Sequence, residues 1–139
     1  MAAAAGLAEK SGRVESLFLN SEVNANGIYG VDFYTLGVPH TVIVDDILPL
    51  YKAWDGTLTT NFAKVGADGS FWGPILEKAF AKYHGNWLHI EGGVPAMATK
   101  TIYGAPAKYI DHTMEWGENI PAATIWKEVS AAVGRGDVI

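Results

Sequence analysis

The sequence predicts an α+β fold in which helices pack with short antiparallel strands. Apolar residues recur at helical spacing between Ser70 and Gly85, which indicates an amphipathic helix. The segment 28–34 alternates, and a short apolar run at 41–44 follows a turn, a pattern typical of a β-hairpin. A second helical pattern follows Pro121, so helices are expected on both sides of the hairpin in the chain.

The amino-terminal segment, residues 2–19, is expected to begin as a helix, because alanine has the highest helix propensity. Gly12 predicts the end of that helix. A second short helical turn is expected where Val14, Leu17 and Phe18 recur at helical spacing.

The predicted hairpin has one apolar face. Tyr29, Val31 and Phe33 lie on the same side of the first strand if it is extended. Gly37-Val38-Pro39 is expected to turn the chain into the second strand. After it, residues 51–69 are predicted to form a loop or an irregular ribbon.

The central helix is expected to start at Ser70 as its N-cap and to end at Gly85 in a left-handed conformation. Its apolar face is Trp72, Ile75, Leu76, Ala79, Phe80 and Tyr83. A short apolar strand is predicted at 87–90, followed by a turn at Gly92 and Gly93. Residues 94–106 are predicted to form a segment of mixed structure.

The last helix is predicted to open at Ile120-Pro121, where proline is tolerated, and to end at Gly134. Its apolar face is Ala122, Ile125, Trp126, Val129 and Val133.

Composition excludes several classes of protein. With 139 residues, of which 49% are hydrophobic and 18% charged, the chain is long enough for a buried core. A net charge of −5 argues against nucleic acid as a partner. No apolar run reaches membrane-spanning length, and the start lacks the positive region of a secretory signal, so a cytoplasmic location is expected. The sequence contains no cysteine, which excludes disulfides, cysteine-ligated metal and a thiol nucleophile within these residues.

The stretch F-W-G-P-I-L-E-K-A-F-A-K-Y-H-G-N-W, followed by E-G-G, strongly resembles the core of the calpain family, the calcium-dependent cysteine endopeptidases with a papain-like fold. V-I-V-D-D-I-L-P and the start A-G-L-A-E-K resemble two further segments of that family. The resemblance covers nearly the whole chain and implies a partial papain-like fold. It divides the chain into the remainder of a first protease subdomain, 1–110, and a linker with the opening helix of the second, 111–139.

The same resemblance shows what these residues do not supply. The family's nucleophilic cysteine would stand a few residues before Met1. The histidine of its G-H-A-Y-like strand and the asparagine of its N-P-W-G-like turn would follow Ile139, and neither pattern occurs here. Because a thiol–imidazole pair needs both partners within hydrogen-bond reach, no catalytic residue is expected on this chain.

Gly92 and Gly93 are the predicted functional element. In papain-like enzymes a glycine at the position of Gly93 presents its backbone to the substrate strand, since only glycine lets another backbone come so close. The simpler alternative is an ordinary turn that needs a positive φ. Calcium is the family's activator, but Ser70 stands where the family has an acidic ligand. Asp68, close by in sequence, is the candidate substitute for that ligand. The calcium site is nevertheless expected to be lost, so no cofactor is expected.

Other candidates have simpler explanations. Asp45 and Asp46 are expected to stabilise a turn by hydrogen bonds, in preference to metal or acid–base roles. His84 and His89 are separated by Gly85, so they cannot share one helical face and are not expected to bind zinc. The sequence has no G-x-S-x-G elbow, and Gly134-Arg135-Gly136 lacks the context of a nucleotide loop.

Three functions stay open. The leading hypothesis is a non-catalytic calpain-like module that acts as a structural or protein-binding subunit of a larger assembly, for which association with the cytoskeleton is one candidate setting. The alternatives are a fragment of an active calcium-dependent cysteine endopeptidase completed by other segments, and an inhibitor that mimics half of a protease. The expected partners are other protein chains, contacted through Trp116, Ile125, Trp126, Val129 and Val133.

Overall fold

The computed structural model describes residues 2–10, 12–60, 62–108 and 120–137. The chain divides into two compact units, Met1–Pro106 and Ala107–Ile139. The predicted subdomain boundary between residues 110 and 111 falls outside the described residues, so that division stays a prediction.

The described elements confirm the α+β class. The first unit holds, in order, α1 (Ala2–Ala8), a first 3-10 helix (Glu15–Leu17), β1 (Ile28–Thr35), β2 (Val38–Asp45), β3 (Leu50–Lys52), β4 (Leu58–Thr60), α2 (Trp72–Tyr83), a second 3-10 helix (Leu88–Ile90) and α3 (Pro95–Tyr103). The second unit holds α4 (Ala122–Arg135).

The predicted hairpin is confirmed as β1 and β2, which pair antiparallel from Ile28 opposite Asp45 to Thr35 opposite Val38. The turn lies earlier than expected, at Leu36 and Gly37, whose φ angles are 52° and 84°. Two consecutive positive φ angles match the twist of the strands and give a two-residue turn. The following Val38 and Pro39 therefore belong to β2.

The core of the first unit lies between this hairpin and the helices α1, α2 and α3. Its fully buried centre is Phe33, whose ring meets the edge of the Phe80 ring from α2 at 5.7 Å between centroids. The buried apolar residues packed together are Ala4, Leu17, Val31, Phe33, Val42, Val44, Ile75, Leu76, Ala79 and Ile102. The predicted apolar face of α2 is therefore confirmed as core. This face predicts that Trp72 and Phe80 are buried, but the structure shows them half-buried at the margin of the core.

The start of α2 differs from the prediction. Ser70 is not its N-cap: the cap position is Phe71, without a side-chain hydrogen bond. Ser70 is instead engaged in the preceding loop, where its N–H donates to Asp68 Oδ1 at 3.0 Å and its carbonyl accepts from Gly66 N at 2.9 Å. The end of the helix agrees, since Gly85 has a φ of 99°.

Two segments after α2 were assigned wrongly. The predicted strand at 87–90 is a 3-10 helix, because a short apolar run does not distinguish strand from helix. Residues 94–106 contain the unpredicted helix α3, which has Pro95 in its first turn and ends at Gly104 with a φ of 65°. Ile102 joins α3 to the core.

The remaining elements are two short strands in the first unit and one helix in the second. The segment predicted as a loop or irregular ribbon contains β3 and β4, which pair from Leu50 opposite Thr60 to Lys52 opposite Leu58. In the second unit, Pro121 precedes α4 as its cap. The helix ends two residues later than expected, where Gly136 takes a φ of 75°.

Candidate functional site

The glycine pair, Gly92 and Gly93, lies on the surface between the second 3-10 helix and α3. A Cβ atom added at either glycine would meet no atom within 4 Å. Neither glycine has a positive φ, so the alternative of a turn that requires left-handed backbone is wrong. The pair leaves a stretch of main chain uncovered by side chains, which is the geometry that an approaching peptide backbone needs.

The connection from α2 to the glycine pair begins with a closed helix end. The N–H of His84 donates to Phe80 O at 3.0 Å, and that of Gly85 donates to Lys82 O at 3.2 Å. Gly85 then turns the chain sideways at its positive φ. The second 3-10 helix follows and lies close to α2. The glycine pair is therefore connected, through the second 3-10 helix, to α2, whose buried residues are part of the core.

Four residues, which we call the histidine clasp, close this connection: His84, Gly85, Asn86 and His89. His89 Nδ1 lies 2.7 Å from the His84 carbonyl oxygen. The His89 N–H donates to Asn86 Oδ1 at 3.0 Å, and Asn86 Nδ2 lies 3.4 Å from His89 Nε2. Sequence reasoning missed the clasp and placed His89 in a strand. Its only sequence signal is a histidine shortly after a helix-ending glycine.

The ring of His84 packs on the end of α2. Its centroid lies 4.4 Å from that of Phe80 and 5.0 Å from that of Tyr83, both in edge-on arrangements. Loss of hydration against these rings lowers the pKa of His84, and the nearby His89 lowers it further. His84 contributes its carbonyl, not its ring, to the clasp.

The degenerate calcium position is a tight loop. Gly69 N donates to Gly66 O at 2.9 Å, and the Asp68 carboxylate receives the Ser70 N–H. Hydrogen bonds from the side chain and then the backbone of Ser70 lower the pKa of Asp68. Within the described ranges, no group of three or more His, Cys, Asp or Glu residues is arranged to hold a metal ion.

The paired aspartates lie at the end of β2. Asp45 Oδ1 accepts the Ile47 N–H at 2.9 Å and pairs with Lys78 Nζ of α2 at 2.5 Å. The Asp46 N–H donates to the Gly27 carbonyl at 2.9 Å. The predicted turn role of Asp45 is confirmed, and the ion pair with Lys78 adds a tie between hairpin and helix that sequence reasoning missed.

A cleft of about 690 Å³ lies within the first unit, beside the loop that carries Ser70. Aromatic side chains of Phe18, Tyr29, Phe71 and Trp72 contribute to its walls. It lies on the side of residues 8–23, and neither Gly92 nor Gly93 lines it. It is therefore separate from the glycine pair.

The predicted partner face belongs to α4. Trp126 is 72% exposed and Val133 is 61% exposed, while Ile125 and Val129 are half-buried. None of the residues of α4 is fully buried. Trp116 lies outside the described residues. Two of the large apolar side chains of α4, Trp126 and Val133, thus meet solvent where the sequence predicted a contact surface.

Comparison with known proteins shows one family. A sequence profile of the calpain family cysteine proteases matches residues 1–139. The chain is 30% identical over 130 residues to calpain-type cysteine protease DEK1 of Zea mays, which covers 93% of this chain and 6% of that protein. It is 32% identical over 114 residues to Calpain-A of Drosophila melanogaster, covering 80% of this chain and 13% of that protein. For Calpain-5 of Caenorhabditis elegans the identity is 29% over 116 residues, covering 81% and 17%.

The chain therefore spans less than a fifth of the length of these relatives. Among the residues that the structure describes, no helix is both long and apolar enough to cross a membrane.

Proposed function

Because this chain belongs to the calpain family of cysteine proteases, we propose that it acts as a non-catalytic module that binds protein segments within a larger assembly. The carrying observation is that its 139 residues contain no cysteine, while the glycine pair keeps its main chain open to an approaching strand. These residues can therefore hold a peptide but cannot attack it through a thiol.

The proposed ligand of the glycine pair is an extended peptide segment. Extended peptides bind through main-chain hydrogen bonds, which require that the two backbones come within a few ångströms of one another. Gly92 and Gly93 meet this requirement because no Cβ stands between their backbone and solvent. A papain-like arrangement of the surrounding elements is part of the proposal.

The second proposed contact is the apolar face of α4. Trp126 and Val133 are exposed, and an isolated amphipathic helix of 14 residues depends on packing for its stability. We assign this face to the remainder of a papain-like second subdomain, on a continuous or a separate chain. A cytoplasmic, cytoskeleton-associated assembly is the proposed setting.

We propose that the loop of Asp68 and Ser70 does not bind calcium with micromolar affinity. The hard cation favours carboxylates, Ser70 offers only a hydroxyl, and the Asp68 carboxylate already accepts the Ser70 N–H. Titration calorimetry should detect no micromolar calcium site in the wild-type chain. Such a site, lost in Asp68→Asn, would show that this loop still holds the ion.

One observation favours a second function. Calpain-type cysteine protease DEK1 and the two calpains are far longer than this chain. This favours, as the second proposal, that the chain is one piece of an active calcium-dependent cysteine endopeptidase. Mixing the chain with a separately produced calpain core that lacks the equivalent residues tests this function. Calcium-dependent peptidase activity of the mixture, absent from either part alone, would favour it over the non-catalytic module.

The peptide site is tested by NMR titration of the labelled chain with β-casein, an unstructured probe protein. Gly92 and Gly93 signals should shift, and Gly93→Val should weaken binding roughly tenfold, because its side chain would hold the peptide backbone away. Gly134→Val is the matched control, since a Cβ at Gly134 also meets no atom within 4 Å. Equal casein binding by both variants would refute the site.

A further inference from the structure

The histidine clasp has a defined proton arrangement. The His84 carbonyl can only accept a hydrogen bond, so His89 Nδ1, which lies 2.7 Å from it, carries the proton. His89 Nε2 faces Asn86 Nδ2 at 3.4 Å, so the amide nitrogen can donate to the lone pair that Nε2 carries in this tautomer. The other end of the Asn86 amide, Oδ1, accepts the His89 N–H. Each donor thus meets an acceptor, and the ring is held from both sides.

The clasp depends on the conformation of Gly85. A φ of 99° is a backbone state that side chains rarely adopt, and a Cβ there would lie 3.5 Å from His89 Nδ1. The chain therefore turns back at Gly85 so that His89 can reach the last carbonyl of the helix end. This brings the second 3-10 helix close to α2.

The clasp lies directly before the glycine pair. Glu91 N donates to Leu88 O at 3.4 Å and Ile90 N donates to Trp87 O at 3.2 Å. These bonds connect His89 to the residues that follow it, so a fixed His89 also fixes the main chain up to Glu91. Gly92 follows immediately, and both glycines lie exposed. Glycine has the most permissive backbone of all residues, so Gly92 and Gly93 do not fix their own conformation. The orientation of their main chain therefore depends on the 3-10 helix that precedes them.

We propose that His89 is a positioning residue, which holds the glycine pair at a fixed place relative to α2 by its Nδ1–H bond to His84. The inference rests on the proposed function, in that the glycine pair is the part that meets a peptide. His89 itself does not touch the peptide. A preorganised backbone loses less conformational freedom on binding, so the clasp raises peptide affinity without adding a contact.

The test compares two substitutions at one position in the full chain. His89→Asn places an amide nitrogen where Nδ1 stood, so it keeps the donor to His84, whereas His89→Phe keeps a ring and loses the donor. In His89→Phe, NMR order parameters of Gly92 and Gly93 should fall from about 0.85 to below about 0.6. The amides of Ile90 and Glu91 should exchange roughly three- to tenfold faster, the size expected for one lost hydrogen bond.

Casein affinity should also weaken roughly three- to tenfold in His89→Phe. His89→Asn should keep the glycine order parameters, the amide exchange rates and the casein affinity at their wild-type values. The urea midpoint should stay unchanged, because the clasp lies outside the core. Asn86→Ala, which keeps the imidazole but removes its second partner, should act in the same direction as His89→Phe. His40→Phe removes a histidine from β2 and is the matched control.

Glycines as ordered in His89→Phe as in wild type, or as mobile in His89→Asn as in His89→Phe, would overturn the positioning role. If the order parameters respond as expected but wild-type chain does not bind casein, the positioning role stands and the proposed peptide site is wrong.

Discussion

The carboxylate of Glu77, on the buried side of α2, accepts a hydrogen bond from the backbone N–H of Ala63. Glu77 is only 5% exposed and Ala63 only 7%. Thr60 supports the same loop by donating from Oγ1 to the Ala63 carbonyl at 2.5 Å. A buried acidic side chain thus fixes the loop between β4 and α2, which leads to Ser70.

Glu77→Ala should destabilise the chain by about 1–3 kcal/mol, because it leaves the buried Ala63 N–H without its partner. Chemical denaturation by urea measures the change. Glu91→Gln, at an exposed glutamate, is the control and should change the free energy of unfolding by less than about 0.5 kcal/mol. Equal effects of the two substitutions would mean that the Glu77 hydrogen bond does not support the loop.

Burial raises the pKa of Glu77, although the backbone N–H groups of Ala63 and Phe62 act in the opposite direction. A raised pKa means that the folded state favours the protonated form, so this contribution to stability is complete below the unfolded value of about 4.3 and is lost as pH rises through the folded pKa. Glu77→Gln cannot ionise, so it should abolish this loss of stability as pH rises. Urea unfolding of both proteins between about pH 4 and pH 8 tests the sign, and an unchanged pH slope would contradict it.

Asp45 should behave in the opposite way. Hydrogen bonds from Lys78 and then from the Ile47 N–H lower its pKa. Its contribution is therefore present above the unfolded value of about 3.9 and is lost as pH falls through the folded pKa. Asp45→Asn should make stability less sensitive to acid between about pH 5 and pH 2. A variant with the same acid sensitivity as wild type would show that the Lys78 contact is absent in solution.

Three phenylalanines test the position of the core. Phe33 is fully buried, Phe80 half-buried and Phe71 54% exposed. Substitution by alanine should cost about 3–5 kcal/mol at Phe33, about 2–3 at Phe80 and less than about 1 at Phe71. Urea denaturation gives this order, and a cost at Phe71 as large as at Phe33 would place the core elsewhere.

The apolar face of α4 predicts self-association or partner binding. Light scattering of the isolated chain should show concentration-dependent association, because Trp126 and Val133 are exposed and large aromatic residues dominate protein interfaces. Trp126→Ser should reduce it. Trp54, which is fully exposed in the loop between β3 and β4, provides the matched control as Trp54→Ser. A monomer at all concentrations, with Trp126 fluorescence quenched poorly by acrylamide, would refute an exposed interface.

Elements with a strong period could be predicted from the sequence. Val31 and Phe33 alternate over a long strand, and the α2 face repeats over three turns, so both were found. Helix α3 was missed because Ile102 is its one buried residue and leaves little pattern. Family motifs located the glycine pair, but residue spacing could not reveal the Glu77 or His89 contacts. Both contacts depend on loop conformation. The loop at Ala63 brings its N–H to the Glu77 carboxylate, and the turn at Gly85 brings His89 back to the end of α2.

Fluorescence anisotropy of fluorescein-labelled casein tests the central claim most directly, because binding raises the signal and cleavage lowers it. Mixed with the purified chain, casein should show a stable rise in anisotropy that is unaffected by calcium and is reduced in Gly93→Val. A progressive fall, free of contaminating protease and dependent on calcium, would contradict the non-catalytic assignment. No rise at any concentration of the chain would contradict the peptide-binding role.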